Sequence, residues 1–212
     1  MFVGHLAVAL AAKKVEPRLP LPSLVAAAFG LDVLWPVFLL AGLEVVRVDP
    51  GNTPFTPLDF VSYPWSHSLV TALVWGGLAG WIAAGWGNAR MGLVIAALVV
   101  SHWVLDVASH RPDMPIWPGG PVVGLGLWYS IPATLGVEGA LLGAGLVAYT
   151  RAAPARDRTG HIALWSLVGV TTAIWVSGPF SPPPPGVLAI AIMCLALALV
   201  LVVWARWIEA HR

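Results

Sequence analysis

The sequence is poor in charged residues and contains a single cysteine, Cys194. Charged residues make up 10% of the 212 residues and hydrophobic residues 58%, whereas charged residues approach roughly a quarter of an ordinary soluble domain. This composition excludes a water-soluble single domain. It also excludes a disordered chain, which would be poor in apolar residues. The expected partner is membrane lipid.

The single cysteine and the small net charge exclude further kinds of metal site and partner. One cysteine per chain excludes a disulfide framework and a thiolate zinc site, so any metal must be bound by nitrogen and oxygen atoms. The formal net charge is only +1 at pH 7, which gives no electrostatic footprint for nucleic acid. We therefore expect no nucleic-acid partner.

Six stretches are apolar over about 20 residues, the length that a helix needs to cross a bilayer. They are residues 23–46, 67–86, 91–109, 129–150, 162–180 and 186–207. A shorter apolar stretch, residues 1–12, precedes Lys13, Lys14 and Pro17, and we expect it to form a half-helix that enters the bilayer partway. A signal peptide is a weaker alternative, because no Lys or Arg precedes the apolar run. The sequence thus predicts an all-α, polytopic membrane bundle of about six transmembrane helices.

Cationic residues are distributed unevenly between the two ends of these predicted spans. Alternating spans leave Arg47 and Arg111 on one side and the other nine Lys and Arg residues on the opposite side. By the positive-inside rule, the C-terminus is cytoplasmic, and the connections around Arg47 and Arg111 face outward. We expect one transmembrane domain over residues 1–212.

Several ionisable residues lie inside or beside the apolar spans, where such side chains are costly and mark a functional site by default. They are His5, Asp32, His67, His102, Asp106, His110 and Glu138. All belong to residues 1–151, which we expect to form the metal-site helices. The last two spans lack acidic residues and His until Glu209 and His211, so we expect residues 152–212 to be scaffold.

Three of these residues are spaced by four along one predicted helix. His102, Asp106 and His110 are therefore expected on one helical face. A stripe of imidazole, carboxylate and imidazole offers nitrogen and oxygen ligands suited to a divalent ion such as zinc. The alternative is a buried His–Asp pair that is bonded internally and to nearby hydroxyl groups, such as that of Ser101.

Helix rise, about 1.5 Å per residue, relates the depths of these groups. His5, Asp32 and His102 fall at one level, while Asp106 and His110 lie successively nearer the exterior. The predicted ligands thus line a funnel that opens outward. The outer connections, residues 49–54 and 115–121, combine turn formers with aromatic and apolar residues, so they are either caps over the funnel or rigid turns at the lipid interface.

Four short motifs within residues 5–113 resemble the membrane-bound metal-dependent hydrolase family, the YdjM-like or LexA-regulated inner-membrane proteins related to zinc-dependent phospholipase C. The motifs are His5, Gly30 to Asp32, His67 to Leu69, and Ser101 to Asp106. The resemblance implies that the metal ligands are His5, Asp32, His67, His102 and Asp106, and that the location is a bacterial inner membrane. His110 and Glu138 are candidates to replace a second carboxylate that the family often has near Asp32.

The resemblance further implies zinc as cofactor and hydrolysis as the reaction, with a lipid or lipid-linked phosphoester as the expected substrate at the exoplasmic face. A zinc ion lowers the pKa of bound water to about 7 and polarises a phosphoryl oxygen. Glu138 or Asp113 is then expected to take the proton. Arg111 is expected either to pair with a phosphate or to act only as a basic residue at a span end.

Two other functions are compatible with the same residues. A proton- or cation-coupled carrier would use the His, Asp and Glu side chains as a path, but a path should reach both faces of the membrane. A non-catalytic scaffold would use them only to satisfy one another. The oligomeric state is not determined by the sequence.

Overall fold

The computed structural model describes residues 1–212 as nine α-helices with two small antiparallel hairpins. The helices are α1 (Val3–Val15), α2 (Leu21–Ala28), α3 (Gly30–Leu40), α4 (Pro64–His67), α5 (Leu69–Trp86), α6 (Ala89–Ser109), α7 (Ile131–Ala152), α8 (Arg158–Ser177) and α9 (Val187–Ala210). The hairpins are β1 (Val45–Val48) with β2 (Leu58–Ser62), and β3 (Met114–Pro115) with β4 (Val122–Val123). The prediction of a mostly helical bundle is confirmed, and the hairpins are additions to it.

Five helices, α5 to α9, are long and apolar enough to cross a membrane. A sixth candidate is the pair α2 and α3, whose axes differ by 50°. The structure therefore contains five such helices, or six if the bent pair counts as one span. This agrees with the expected number of about six.

One predicted span, residues 23–46, is not a continuous helix. The helix breaks at Phe29, whose φ of −101° and ψ of 10° are not helical, and the next residue is Gly30, a poor helix former. α3 ends at Leu40, and the chain turns at Gly42, whose φ of 71° favours glycine. As a result, β1 begins at Val45, inside the stretch that we expected to be helical.

α1 lies in the core of the bundle. Nine of its 13 residues are buried, and it packs against α2, α6 and α7. Its contact with α7 requires Gly145, because a Cβ atom there would collide with the backbone of Ala7. The helix continues past the expected stop at Lys13 to Val15, and the buried Lys13 ammonium donates to the Leu19 carbonyl at 2.7 Å.

α5 and α6 form a close antiparallel pair through small residues. A Cβ atom at Gly80 would lie 2.7 Å from the Gly92 carbonyl oxygen, and one at Gly76 would lie 3.0 Å from the Ala96 carbonyl oxygen. The spacing of Gly76 and Gly80 therefore serves packing within the chain. This pair holds α6, which carries the His102 and Asp106 side chains, against the rest of the bundle.

The two ends of the bundle have different ion pairs. At one end, Glu16 pairs with Arg18 and Arg90, so the connection after α1 meets the first turn of α6. At the other end, the guanidinium of Arg111 pairs with Asp59 of β2. The two predicted outer connections are therefore in contact with each other.

Candidate metal centre

Five of the predicted ligands meet in the interior although they come from four helices. His5 is on α1, Asp32 in the first turn of α3, His67 at the end of α4, and His102 and Asp106 on α6. The four residues other than Asp32 are buried, and the Asp32 side chain is 36% exposed. Two overlapping groups have the geometry to hold a metal ion, one of His5, His102 and Asp106 and the other of Asp32, His67 and His102.

The two groups share His102, whose Nε2 atom is at the centre of the cluster. It lies 3.3 Å from His67 Nε2 and 3.2 Å from the Oδ2 atom of Asp106. It also lies 3.6 Å from the Oδ1 atom of Asp32. His67 Nε2 is 3.8 Å from each of the same two carboxylate oxygens.

Each of these five distances involves the Nε2 atom of His67 or of His102. Ligands bound tetrahedrally at about 2.1 Å are separated by about 3.4 Å. The observed separations of 3.2 to 3.8 Å therefore fit the edges of such a coordination shell. The donor set, imidazole nitrogen and carboxylate oxygen, suits zinc and other divalent ions.

The break between α2 and α3 fixes the orientation of the His102 ring. The carbonyl oxygen of Ala28, the last residue of α2, lies 2.8 Å from His102 Nδ1. A carbonyl only accepts hydrogen bonds, so Nδ1 carries the hydrogen, and in the neutral ring Nε2 presents a lone pair to the cluster. This is the tautomer that a metal-binding imidazole requires.

A side-chain relay orients His67 in the same way. Ser66 Oγ lies 2.7 Å from His67 Nδ1 and donates to the Glu44 carboxylate at 2.7 Å. Because the serine hydrogen is used by Glu44, His67 Nδ1 donates to Ser66 Oγ, and His67 Nε2 also presents a lone pair. Burial raises the pKa of Glu44, although its hydrogen bonds from Ser66 and Trp65 oppose this shift.

The Nε2 lone pairs of both imidazoles thus face carboxylate oxygens of Asp32 and Asp106. Acceptors at these distances repel one another unless a cation lies between them, either a proton or a metal ion. The bland alternative, in which a His and an Asp merely satisfy each other, requires a donor hydrogen between them. The Nδ1 bonds of both rings place the hydrogens on the far side of each neutral ring.

His5 borders this group of four acceptors. Its ring stacks on His102 with centroids 3.7 Å apart, and its Nε2 atom lies 3.1 Å from the Oδ1 atom of Asp106. The amino group of Met1 also contacts this oxygen. Asp106 therefore directs one oxygen at His5 and the other at His67 and His102. The Nδ1 atom of His5 is buried and has no hydrogen-bond partner.

A cavity of about 310 Å³ leads to the cluster from the end of the bundle that holds Arg111. Asp32, His67 and Asp106 line its floor. Its other walls are mainly aromatic and apolar, and the contributors include Trp35, Phe55, Phe60, Trp128 and Trp175. Two of these rings, Phe55 and Trp128, stack with centroids 6.4 Å apart, whereas residues 49–54 and 115–121 do not line the cavity. No Lys or Arg lines the cavity.

His110 does not join the cluster, although it lines the same cavity. Its Nδ1 atom lies 3.0 Å from the Asp113 carboxylate, to which the Tyr63 hydroxyl also donates at 2.7 Å. Burial and the nearby Asp113 raise the pKa of Tyr63 well above its usual value, so the hydroxyl remains a donor. The Trp128 ring packs 4.3 Å from the His110 ring. The expectation that His110 is a metal ligand lacks support from this arrangement.

Arg111 and Glu138 also bind other groups of the protein instead of taking the roles predicted for them, phosphate binding and proton transfer. The Arg111 guanidinium binds Asp59 and Asp113, and two carboxylates leave it no free fork for a phosphate. The Glu138 carboxylate accepts from the amide groups of Phe2 and Gly4 at 2.9 and 3.2 Å, so it anchors the beginning of α1. The sequence could not reveal these partners, because they lie more than 50 residues away from Arg111 or Glu138 in most cases.

Sequence reasoning missed three contributors to the site. Ser66 precedes His67 directly, and a hydroxyl beside a candidate ligand is a weak signal that could have indicated it. Glu44 and the Ala28 carbonyl gave no signal, because one lies in an unpredicted turn and the other is a backbone group at an unpredicted break.

Comparisons with protein family models, with curated proteins and with solved structures found no match to this chain. The roles assigned through the motif resemblance therefore remain predictions. The geometry of the cluster is independent of that resemblance.

Proposed function

We propose that the protein is a membrane-embedded, metal-dependent hydrolase whose centre is formed by Asp32, His67, His102 and Asp106. The observation that carries this proposal is that both imidazole rings, oriented by their Nδ1 bonds, place Nε2 within 3.2 to 3.8 Å of the Asp32 and Asp106 carboxylates. His5 supports the centre through Asp106 and through its stacking on His102. Zinc is the proposed ion, because it suits the nitrogen and oxygen donor set and because the motif resemblance implies it.

The surface of the bundle supports insertion into a membrane. Large apolar side chains are exposed on the long helices, among them Trp81 and Leu93, which are 74% and 71% exposed. Exposed apolar surface on this scale marks contact with another apolar phase. We propose that α5 to α9 and the α2–α3 pair cross a bacterial inner membrane, with the C-terminus in the cytoplasm on the positive-inside rule.

The protein itself supplies the groups that orient the two imidazoles, an apolar cavity above them and a proton acceptor. A bound divalent ion would supply hydroxide at neutral pH and polarise a substrate oxygen. Ala28 and Ser66 hold the two imidazoles, and the aromatic walls limit access of water to the cavity. His110 Nε2 has no partner within the chain, and His110 faces the cavity with Nδ1 held by Asp113, so we assign it the role of proton acceptor in place of Glu138 or Asp113.

The proposed substrate is a lipid or lipid-linked phosphoester at the exoplasmic end of the bundle. The apolar walls of the cavity suit a hydrophobic substrate. The phosphoester itself is proposed from the resemblance, because the cavity lining offers no cationic side chain to a phosphate.

A carrier that uses the same residues is less well supported. Leu6, Ala9 and Leu10 of α1 are buried in the apolar core between the cluster and the opposite end of the bundle. The ionisable groups therefore do not continue as a path through the bundle. Proton flux into vesicles that depends on His102 would favour a carrier.

The test measures bound metal in the purified full chain by elemental analysis, together with turnover of a panel of lipid phosphoesters. We expect a stoichiometric divalent ion in the wild type and its loss in His102→Ala and Asp106→Ala. His161→Ala, which changes an exposed His on α8, is the matched control and should keep the ion. Equal metal content in all four proteins would refute the metal centre, whereas bound metal without turnover would refute only the enzyme.

A further inference from the structure

A second cavity, distinct from the metal centre, lies between the α2–α3 pair and the α5–α6 pair. It has a volume of about 700 Å³, and its walls are mostly hydrophobic. It shares no lining residue with the cavity above the metal centre. We refer to it as the lateral groove. Its walls include Ala27 and Leu34 on one side, and Leu78, Ala79 and Ile82 on the other.

The length of the lateral groove matches one leaflet of a bilayer. Its α5 wall extends from Trp75 to Trp86, which is eleven helical steps or about 16 Å. The hydrocarbon core of a bilayer is about 30 Å thick, so each leaflet contributes about 15 Å. One acyl chain can therefore lie along the groove at full length.

The end of the lateral groove is cationic. Arg18 lines it, and Arg90 is adjacent to the lining residue Met91. The two guanidinium groups share one carboxylate, that of Glu16, with Arg18 Nε at 2.8 Å and Arg90 Nε at 3.5 Å. Arg18 Nη2 also donates to Glu16 and Arg90 Nη2 to the Val15 carbonyl. The Nη1 group of each guanidinium has no partner in the chain, both side chains are more than 60% exposed, and two cations face one carboxylate, so this end of the groove keeps an excess positive charge.

An interfacial residue marks the same end. Trp86, at the end of α5, is 88% exposed. Tryptophan prefers the headgroup level of a membrane, and exposed arginine accumulates on the cytoplasmic side. The apolar walls of the groove therefore match the acyl chain of a lipid, and its cationic end matches an anionic headgroup.

We propose that the lateral groove binds one anionic phospholipid of the cytoplasmic leaflet, with an acyl chain between α2–α3 and α5–α6 and the phosphate at Arg18 and Arg90. The proposal rests on membrane insertion, and it is independent of the metal centre and of hydrolysis. The bound lipid would fill the space beside the α2–α3 break and thereby support the position of the Ala28 carbonyl.

The test reconstitutes the full chain into vesicles of equal parts phosphatidylglycerol and phosphatidylcholine, extracts it with mild detergent, and measures each retained lipid per protein by mass spectrometry. We expect enrichment of phosphatidylglycerol over phosphatidylcholine. Arg18→Gln with Arg90→Gln should reduce this enrichment about tenfold, since a hydrogen bond to a charged group contributes at least about that factor. The matched control, Arg151→Gln with Arg158→Gln, changes two exposed cations outside the groove and should keep the enrichment.

A second variant tests the acyl chain separately from the headgroup. Ala79→Trp places an indole in the lateral groove and should reduce retention of both lipids. Circular dichroism and gel-filtration elution of the same preparations report whether each variant is folded, and we expect both to be unchanged. Equal loss of enrichment in both Arg pairs, or full retention in a folded Ala79→Trp protein, would overturn the proposal. A chain recovered outside the vesicles would instead refute membrane insertion itself.

Discussion

The two parts of the chain, residues 1–151 and 152–212, differ in what they contribute to the cluster and to the cavity. Residues 1–151 provide every member of the acceptor cluster and the groups that orient them. Residues 152–212 contribute to the cavity only apolar side chains and one glycine, among them Ile174, Trp175 and Leu197. The first part contains a helix break and two hairpins, whereas α8 and α9 are uninterrupted. Irregular backbone is concentrated where polar groups must be held, and regular helix serves where only apolar surface is needed.

Removal of metal should produce the largest difference between the two parts. A ligand present at about 1,000 times its dissociation constant stabilises the folded state by about 4 kcal/mol. Chelation should therefore lower the melting temperature and increase amide exchange in α3, α4 and α6. We expect α8 and α9 to change much less, as measured by hydrogen–deuterium exchange. Equal changes in both parts would mean that the centre stabilises the whole bundle rather than its own helices.

A cavity mutation in the scaffold should have the opposite pattern. Leu167 on α8 is fully buried, and replacing a buried Leu by Ala costs about 2–5 kcal/mol. Leu167→Ala should therefore lower the unfolding temperature and leave the metal content and turnover of the folded fraction unchanged. Loss of metal from folded Leu167→Ala would show that the scaffold also positions the ligands.

The relay behind His67 should have a smaller effect, confined to metal affinity. Removing a group that orients a ligand typically weakens metal binding about 10- to 100-fold. We expect a loss of this size for Ser66→Ala, measured by competition with a chelator. Ser166→Ala is the matched control, because its hydroxyl bonds only to backbone of α8. If Ser66→Ala bound metal with wild-type affinity, the Ser66–Glu44 relay would not contribute to the metal centre.

The smallest expected effect concerns the ion pairs of Glu16 with Arg18 and Arg90 at the cationic end of the lateral groove. Hydrogen bonds from Arg18 lower the pKa of Glu16 to about 2. A depressed carboxyl pKa contributes stability above the ordinary value of about 4.3, and this stability is lost as the pH falls toward 2. The difference in unfolding temperature between wild type and Glu16→Gln should therefore shrink below pH 4. A difference that is constant with pH would indicate that the charge of Glu16 does not contribute.

The apolar runs were sufficient to predict a mostly helical bundle, and five of the six predicted metal ligands lie together in the structure, whereas His110 does not join them. Apolar runs of spanning length located α5 to α9, and the spacing of His102 and Asp106 identified one face of α6. The division between the two parts was expected because ionisable residues inside spans are rare and costly. These signals are local in sequence and could be recognised without coordinates.

The remaining features depend on contacts between distant segments. The break at Phe29 was hidden inside an apolar run, since Gly30 alone is compatible with a helix. The occupation of Arg111 by Asp59, and of Glu138 by the amide groups that begin α1, became visible only when α1, α7 and the hairpins were placed together. Local sequence therefore identifies which polar residues are unusual, whereas tertiary contacts determine what each of them binds.

The origin of the ligands in separate helices has a consequence for biogenesis. Asp32, His67 and Asp106 are synthesised at well-separated times, and no segment shorter than residues 32–106 contains all four acceptors. A nascent chain that ends before α6 lacks His102 and Asp106 and cannot yet assemble the set. If the cluster binds a metal ion as proposed, the complete site would form only after α6 packs against the earlier helices, and the bound ion would report that this stage of assembly is complete.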